Sequence, residues 1–411
     1  MSETFPSAAG AAPPAGSVEA PFDTAETAEV LRAAAAAGQT VRARGNGTKL
    51  DWGPGGFEPD LVVDTRQITE LTHTAGDLVV RVGAGIGVSE LQQQLAQGGQ
   101  RLSVAPPVAG SSVGGMVATA LSGPPRHRYG PVRDLIIGMT VARADGRLSH
   151  SGGTVVKNVA GYDLAKLHTG AYGSLGLITS VTFKLHPLPE TQRVLTATTS
   201  DPKQAEEWLR RLHASQSEPT AIELETLDPD HTDSSEVAPA MRLHVLLEGA
   251  AGGMDARVAA TAAAMDGADV HPELPAGWAQ LPGTATATQL QLVVPPAHSV
   301  ATVRELHRLA GADLRLQVRG SAGTGVLYAA VADTAEPTAL SNLVENVRTR
   351  LAEQGGSGAG TSVTVLRPAA TLRDTELDLW GEIPGLALMR AIKHQLDPDR
   401  RLSPGRGPGG L

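Results

Sequence analysis

Two stretches hold small residues at a spacing that lets backbone close on an anion. In Arg44-Gly-Asn-Gly-Thr48 two glycines flank an asparagine directly after a short predicted strand. Glycine and asparagine tolerate positive φ, so the consecutive N–H groups of Gly45, Asn46 and Gly47 can point into one concavity, and Thr48 can add a hydroxyl donor. Such a nest takes an anion, and a diphosphate is its natural guest. Alone, this loop reads as an ordinary hairpin turn. The second stretch, Ser111-Ser-Val-Gly-Gly-Met-Val-Ala-Thr119, is more telling. Small residues at 109–112 and the pair Gly114 and Gly115 permit a ligand to lie against main chain, and a short helix starting over Met116 to Ala120, Ala118 included, would face an anion with free N–H groups. Two loops of matched logic are harder to explain as plain turns.

Other candidates carry less chemistry. Val82-Gly-Ala-Gly-Ile-Gly87 has glycines at alternate positions but Val88 at the sixth position, where a dinucleotide fingerprint needs its third glycine, and no acidic residue ends a strand about 20 residues on. It is read as a strand-to-helix turn. Gly161-Tyr-Asp-Leu-Ala-Lys-Leu-His-Thr-Gly170 reads as an Asp-capped helix with Leu164 and Leu167 on its buried side. Tyr162 either reaches a ligand ring or fills a core. Gly176, in Gly173-Ser-Leu-Gly-Leu-Ile178, allows a ligand edge to lie on backbone. The 12 histidines form no H-x-x-H or H-E-x-x-H pair, so no metal site is expected; His127 and His394 stand nearest the loops of interest. No Walker loop or nucleophile elbow is present.

The elements that must position these loops alternate along the chain. Thr24–Ala37 is a predicted helix stopped by Gly38, followed by strands at Thr40–Arg44, Leu61–Asp64 and Leu78–Val82 and a helix over Val88–Gln97. Thr65 or Thr69 is expected to cap a short turn. Leu135–Arg143 runs into an Asp-Gly turn, and Leu177–Leu185 is a long strand ended by Pro187 and Pro189. Beyond Thr191 strand-like runs (243–248, 290–294, 325–331) alternate with helices (204–212, 255–265, 300–309, 338–353), the texture of an α+β domain with an antiparallel sheet. With 411 residues the chain is too long for one core. The expected division is a tail over 1–20, a first domain over 21–190, a second over 191–365, and a C-terminal segment over 366–411 returning to the first.

A net charge of −9 without a dense Lys/Arg run excludes nucleic acid as a bulk partner. Zero cysteines exclude a disulfide framework, a thiolate nucleophile and an iron–sulfur cluster held by this sequence. No apolar run has the length of a membrane span. Met1–Ala20 is rich in Ala, Pro, Gly and Ser, carries Glu3 and lacks a basic start, so it reads as a disordered tail rather than a secretory signal. The expected location is cytoplasmic, at the inner membrane face only through a partner.

Over Val41–Pro189 the sequence resembles the FAD-binding domain of the vanillyl-alcohol oxidase / p-cresol methylhydroxylase (PCMH) family, and within it the E-subunit family of bacterial glycolate oxidases. The resemblance rests on Val82-Gly-Ala-Gly85, Tyr129-Gly-Pro-Val-Arg-Asp134, Lys157-Asn-Val-Ala-Gly-Tyr-Asp163 and Gly173-Ser-Leu-Gly-Leu-Ile178. The closing Asp397-Pro-Asp-Arg-Arg-Leu-Ser-Pro-Gly-Arg406 is similar to the family's D-P-x-x-x-x-N-P-G-[KR], with Ser403 in place of Asn. The resemblance implies an α+β fold: a two-subdomain PCMH-type FAD-binding domain followed by an α+β cap with an antiparallel sheet. It implies that Arg44, Gly45, Asn46, Gly47 and Thr48 hold the FAD pyrophosphate. Ser111, Ser112, Val113, Gly114, Gly115, Ala118 and Thr119 would line the pyrophosphate and ribityl chain, and Gly161, Gly176 and Ile178 would pass near the ring or the adenine side. With no His or Cys in the first loop, the flavin is expected to be non-covalent.

The implied activity is oxidation of a small 2-hydroxy acid, glycolate to glyoxylate, with electrons passed to a flavin-containing catalytic subunit and an iron–sulfur subunit of one complex. The family's catalytic D subunits and their dehydrogenase relatives carry a histidine-rich H-x-x-G-x-x-x-H-type segment in the cap. Here His231, His244, His271, His298 and His307 are isolated, and no base for the hydroxyl proton is evident. Tyr162, Arg367, His394, Arg401 and Arg406 are the residues considered for substrate or reduced flavin. Two alternatives stay open: a self-sufficient FAD-dependent 2-hydroxy-acid or sugar-alcohol dehydrogenase, and a non-catalytic flavin-binding assembly or electron-relay subunit.

Overall fold

A computed structural model describes residues 16–54, 57–154, 161–227, 239–355, 360–372 and 377–411. Most of the predicted tail, Lys157–Ala160 of the 157–163 motif, and His231 lie outside these residues. The chain divides into two compact units. One contains the residues up to Leu121, Pro131–Leu188 and Gly385–Leu411; the other contains Ser122–Gly130 and Pro189–Pro384. Residues 366–384 thus belong to the second unit, and so does the short stretch 122–130, which no sequence pattern marks.

In the first unit, Asp23 accepts the Glu26 N–H at 2.8 Å and starts a helix over Thr24–Ala36. Its buried face, Leu31 and Ala34, packs with Val41, Leu61, Val63, Ala142 and Leu177. A parallel three-stranded sheet runs in the order Ser17–Glu19, Leu61–Asp64, Val41–Arg44. A five-stranded antiparallel sheet has the order Leu71–Thr74, Val79–Gly83, Leu177–Lys184, Ile136–Ala142, Leu148–Gly152. Leu177–Lys184 is its central strand, and seven of its eight residues are buried, as both faces being covered requires.

The glycines of Val82–Gly87 have a packing explanation. A Cβ on Gly83 would sit 2.2 Å from the Ile68 carbonyl oxygen, and one on Gly85 2.0 Å from that of Thr65. Backbone passes backbone there, between the strand Val79–Gly83 and the helix Val88–Gln97. The short turn Thr65–Gln67 is capped not by a threonine but by Asp64, whose carboxylate accepts the Arg66 N–H at 3.1 Å.

The C-terminal segment stitches onto the first unit. Val41 donates its N–H to the Arg401 carbonyl and accepts the Ser403 N–H, both at 2.8 Å. Behind this join lies a buried pair: Lys393 Nζ donates to Asp397 Oδ2 at 2.7 Å, to the Ser174 carbonyl at 2.7 Å and to the Leu402 carbonyl at 3.0 Å. The Asp397 carboxylate also accepts the N–H groups of Arg401 and Leu402. The Asp-Pro closing motif is therefore a folding device that fixes Ser403 and Arg406 in place.

The second unit is built on one eight-stranded antiparallel sheet. Its order is Asp269–His271, Thr191–Thr199, Met241–Gly249, Ala221–Thr226, Leu316–Ser321, Val326–Val331, Thr288–Val293, Ser362–Arg367. Alternation along each strand puts Leu195, Ile222, Leu224, Leu243, Val245, Leu290, Leu327 and Val365 into one core with residues of the helices Pro202–Ala214, Met254–Ala264, Ser299–Ala310 and Pro337–Gly355. The opposite face is largely polar, with a small apolar cluster of Val194, Ala221 and Leu246 under Trp278.

Candidate functional site: a cationic cleft in the first unit

The two glycine loops come together. The loop after the strand Val41–Arg44 and the helix Val113–Ala118 face each other across a cleft of about 750 Å³. The Asn46 side-chain amide ties the loops by donating to the Gly110 carbonyl at 2.8 Å. The helix begins at Val113, earlier than the predicted Met116, because the Ser112 hydroxyl caps it by accepting the Gly115 N–H at 3.3 Å. Gly45 is pressed onto that cap: a Cβ there would lie 2.2 Å from Ser112 Oγ. Gly114 faces Ala84, where an added Cβ would come within 2.9 Å of the Ala84 Cβ. A third wall is formed by 172–178 and a fourth by Ser403 and Arg406.

Charge distinguishes the cleft. Among the described residues its lining includes Arg42, Arg44, Lys49 and Arg406 and not one carboxylate. Arg44 is paired from behind with Asp64 at 2.9 Å, a carboxylate shared with Arg66 at 2.7 Å. Lys49 is buried and, among the described residues, donates only to hydroxyls, Ser111 Oγ at 2.7 Å and Thr48 Oγ1 at 3.1 Å. Burial, then the charge of Arg406, lowers its ammonium to about 8. Arg406 is itself lowered to about 10 by burial and by Arg42, and its guanidinium donates to the carbonyls of Lys49 and Leu50. Cations that suppress one another's protonation mark a site shaped for an anion. The residues fit a dinucleotide diphosphate: small residues for close approach, hydroxyls and amides as donors, and surplus positive charge.

Of the residues read from the sequence, the structure brings Arg44, Gly45, Asn46, Gly47, Thr48, Ser112, Gly114, Gly115, Ala118, Thr119, Gly176, Ile178 and Arg406 onto this lining. Gly176 is glycine for a second reason, since its missing Cβ would lie 2.4 Å from Val141 Cγ1. Ser111 sits one layer behind, holding Lys49, and Val113 is wholly buried in the helix's core face. Gly161 has open space around its Cα, and Tyr162 is 91% exposed. Asp163 makes no capping hydrogen bond to the helix Leu164–His168; it pairs with Lys166 at 3.2 Å, and the buried side is Ala165 and His168 rather than Leu164 and Leu167. His394 is exposed. Arg401 is buried and donates to the Ala144 carbonyl. Arg367 and His127 lie in the second unit, the former donating to the carbonyls of Thr284 and Ala287, the latter beside His213. Sequence reasoning missed Lys49, Tyr172 and Arg42. Lys49 directly follows the nest, and its position was its only signal.

Comparison with known proteins agrees with this geometry. Residues 16–152 match the family described as FAD binding domain. D-lactate dehydrogenase of Archaeoglobus fulgidus is 33% identical over 175 residues, 43% of this chain and 40% of that protein. Glycolate oxidase subunit GlcE of Escherichia coli is 40% identical over 115 residues, 28% of this chain and 33% of that protein. Glycolate oxidase subunit GlcD of Bacillus subtilis is 31% identical over 182 residues, 44% and 39% of the two chains. The chain thus spans well under half the length of the curated relatives it matches. Among solved structures, alkyldihydroxyacetonephosphate synthase superposes with a TM-score of 0.67 at 14% identity, over 94% of this chain and 76% of that one. Chitooligosaccharide oxidase gives 0.63 at 16% identity, over 93% and 89%. Both units are mixed α+β, a fold shared with these structures, and the stretch that matches an FAD binding domain lies mostly in the first unit. Among the described residues no helix is long and apolar enough to cross a membrane, and no group of three or more acidic or histidine side chains could hold a metal.

Proposed function

We propose that this protein is an FAD-dependent oxidoreductase acting on the CH–OH group of a small 2-hydroxy acid, glycolate or D-lactate, as a flavin subunit of a glycolate-oxidase-type complex. The observation that carries the reading is the carboxylate-free cationic cleft lined by both glycine loops, inside the segment that matches the FAD binding domain. Relatives named as glycolate oxidase subunits and D-lactate dehydrogenases support the substrate class. FAD, when bound, supplies a two-electron acceptor.

In this reading the backbone of Gly45–Gly47 and the hydroxyls of Thr48 and Ser112 hold the diphosphate, with Lys49 and Arg406 neutralising its charge. Gly114, Gly115, Ala118 and Thr119 leave room for the ribityl chain, and Gly176–Ile178 run beside the ring or the adenine. Among the described residues no cysteine or histidine lines the cleft, which supports a flavin held without a covalent link. With no cysteine in the sequence, onward electron transfer through an iron–sulfur centre falls to a partner chain, and any approach to the inner membrane face goes through that partner.

The test is anaerobic mixing of the FAD-loaded protein with glycolate or D-lactate, alone and with partner subunits. Bleaching of the visible flavin band by either acid supports the proposal. A band that stays oxidised in every combination refutes it.

A further inference from the structure

Within the first unit, the stretch 403–411 carries one guanidinium to the edge of the cationic cleft. Its sequence dictates a type II turn. Pro404 presets φ at the second position, Gly405 supplies a φ of 79° at the third, and Arg406 donates its N–H to the Ser403 carbonyl at 3.1 Å. The turn is entered under strain: Ser403 is a non-glycine residue at a φ of 43°, and Arg400 stands at 53°. Beyond Ser403 the backbone hydrogen bonds stay local. Gly407 donates to the Leu411 carbonyl at 2.8 Å, and Gly410 to the Gly407 carbonyl at 3.1 Å. Arg400 donates to the Gly410 carbonyl at 3.2 Å. Among the described residues, the hydrogen bonds that tie 404–411 to the rest of the unit come from the Arg406 guanidinium. It donates to the carbonyls of Lys49 and Leu50, 357 and 356 positions away in sequence.

Those carbonyls belong to the turn that closes the first glycine loop. Leu50 donates its N–H back to the Gly47 carbonyl at 3.2 Å, and Trp52 donates to the Lys49 carbonyl at 3.3 Å. Arg406 thus pins the turn 47–50 from outside. It arrives, however, as a cation against a cation. Burial and then the charge of Arg406 lower the Lys49 ammonium. The groups facing Lys49 are Arg406 and the hydroxyls of Ser111 and Thr48; those facing Arg406 are Arg42, Tyr172 and Asp51. Neither cation makes an ion pair among the described residues. Without an anion, docking Arg406 therefore costs repulsion as well as backbone strain. An anion carrying two or more charges beside both cations offsets that repulsion. A ligand that favours one arrangement of a segment stabilises it, and the segment returns the same factor in affinity.

We propose that 403–411 is an anion-responsive strap and Arg406 the positioning residue of the diphosphate nest: a dinucleotide diphosphate in the cleft favours the docked strap, and docked Arg406 holds the turn 47–50 in its binding shape. The proposal rests on the cofactor reading above and deepens it by naming what retains the cofactor. Arg406 acts in two separable ways. Its planar fork reaches two carbonyls, and its charge sits beside Lys49. Lysine at this position keeps the charge without the fork, whereas glutamine removes the charge. The order Ser403-Pro-Gly-Arg406 suits the task, because a turn of fixed geometry directly after the join to Val41 delivers the guanidinium at a fixed reach.

The experiment uses the full-length chain freed of flavin, with FAD and inorganic pyrophosphate as separate probes. Saturating FAD should slow amide hydrogen exchange across 403–411 by about tenfold or more, an ordinary coupling between two sites, and slow tryptic cleavage after Arg406. Arg406→Gln should bind FAD more weakly by about the same factor and show no FAD-dependent protection of the stretch. Arg406→Lys should recover part of both. The pH profile separates this role from a merely structural one. Parental FAD affinity falls as Lys49 loses its proton near pH 8. With the neighbouring charge removed, Arg406→Gln should carry that break to higher pH, and Arg406→Lys should leave it in place. Protection together with the displaced break upholds the strap. The strap falls and the cofactor reading stands if FAD binds the parent without slowing exchange at 403–411, or if Arg406→Gln keeps the parental affinity or the parental break. If FAD does not bind the parent, the cofactor reading falls and pyrophosphate decides alone: protection of 403–411 upholds the strap as an anion clamp, and its absence overturns it.

Discussion

At the scale of single residues, protonation is where the account is most exposed to test. Lys49 is lowered to about 8 in the protein without an anion, and a diphosphate beside it favours the charged form. The free protein's ammonium therefore titrates before that of the complex. FAD affinity should be flat below pH 8, fall as pH rises above it, and binding there should take up a proton. Fluorescence titrations across pH check this; Lys49→Met should lose about 10–100-fold in affinity, the worth of a charge-assisted hydrogen bond, and with it the pH dependence. Glu223 gives the opposite sign for stability. Its folded value of about 8 lies above the carboxyl's ordinary 4.5, so between those values the native state holds a proton that the unfolded state has released. Stability must then fall as pH rises from 4.5 to 8. Urea midpoints should show Glu223→Gln gaining on the parent across that window; parallel curves would mean the carboxyl is not perturbed. The nest and the paired glycines were legible because their chemistry is local: φ freedom and small size are properties of residue type. Glu223 was not, because nothing in its own neighbourhood of sequence says that the polar face of its strand is buried.

At the scale of elements, the cleft depends on two mechanical features. Gly45 must stay bare because a methyl would lie 2.2 Å from the Ser112 hydroxyl that caps the helix Val113–Ala118. Gly45→Ala should displace that cap, costing about 1 kcal/mol of stability, and weaken FAD about tenfold as the loop shifts; melting and FAD titration together check it. The Lys393–Asp397 pair is the second. Asp397 is fully buried, and Asp397→Ala strands an ammonium and frees the N–H groups that hold Arg401 and Leu402. The expected loss is about 3–5 kcal/mol, read by urea unfolding, with weaker FAD binding because Ser403 and Arg406 lose their anchor. Helices with strong apolar periodicity, such as 88–97 and 204–212, were readable to within a few residues. The strands Thr191–Thr199, Leu316–Ser321 and Ser362–Arg367 were not anticipated. One face of that sheet carries Glu, Arg, Gln and His, so the strands show a half-apolar alternation that short windows do not separate from loop.

At the scale of the whole molecule, a 411-residue chain answers its length with two compact units, each burying apolar residues of its own. The Archaeoglobus, Escherichia and Bacillus relatives match at most 44% of the chain, whereas structural likeness at 14% identity covers 94% of it. The difference has a physical cause. On the proposed reading, a cofactor's phosphates dictate residue types along the first unit's loops, while the second unit's sheet needs only alternating apolar positions, which many sequences satisfy. The fold class and the convergence of the two glycine loops on one cleft were accordingly open to sequence reading, and the polar face of the second unit's sheet was not.

The central claim is that the cationic cleft of the first unit is an FAD site, and titration of the purified, flavin-free protein with FAD under calorimetric detection tests it most directly. The account predicts uptake of one FAD per chain, weakened by Lys49→Met and by added pyrophosphate, with all flavin released by acid precipitation. No heat and no retained colour at saturating FAD would contradict it.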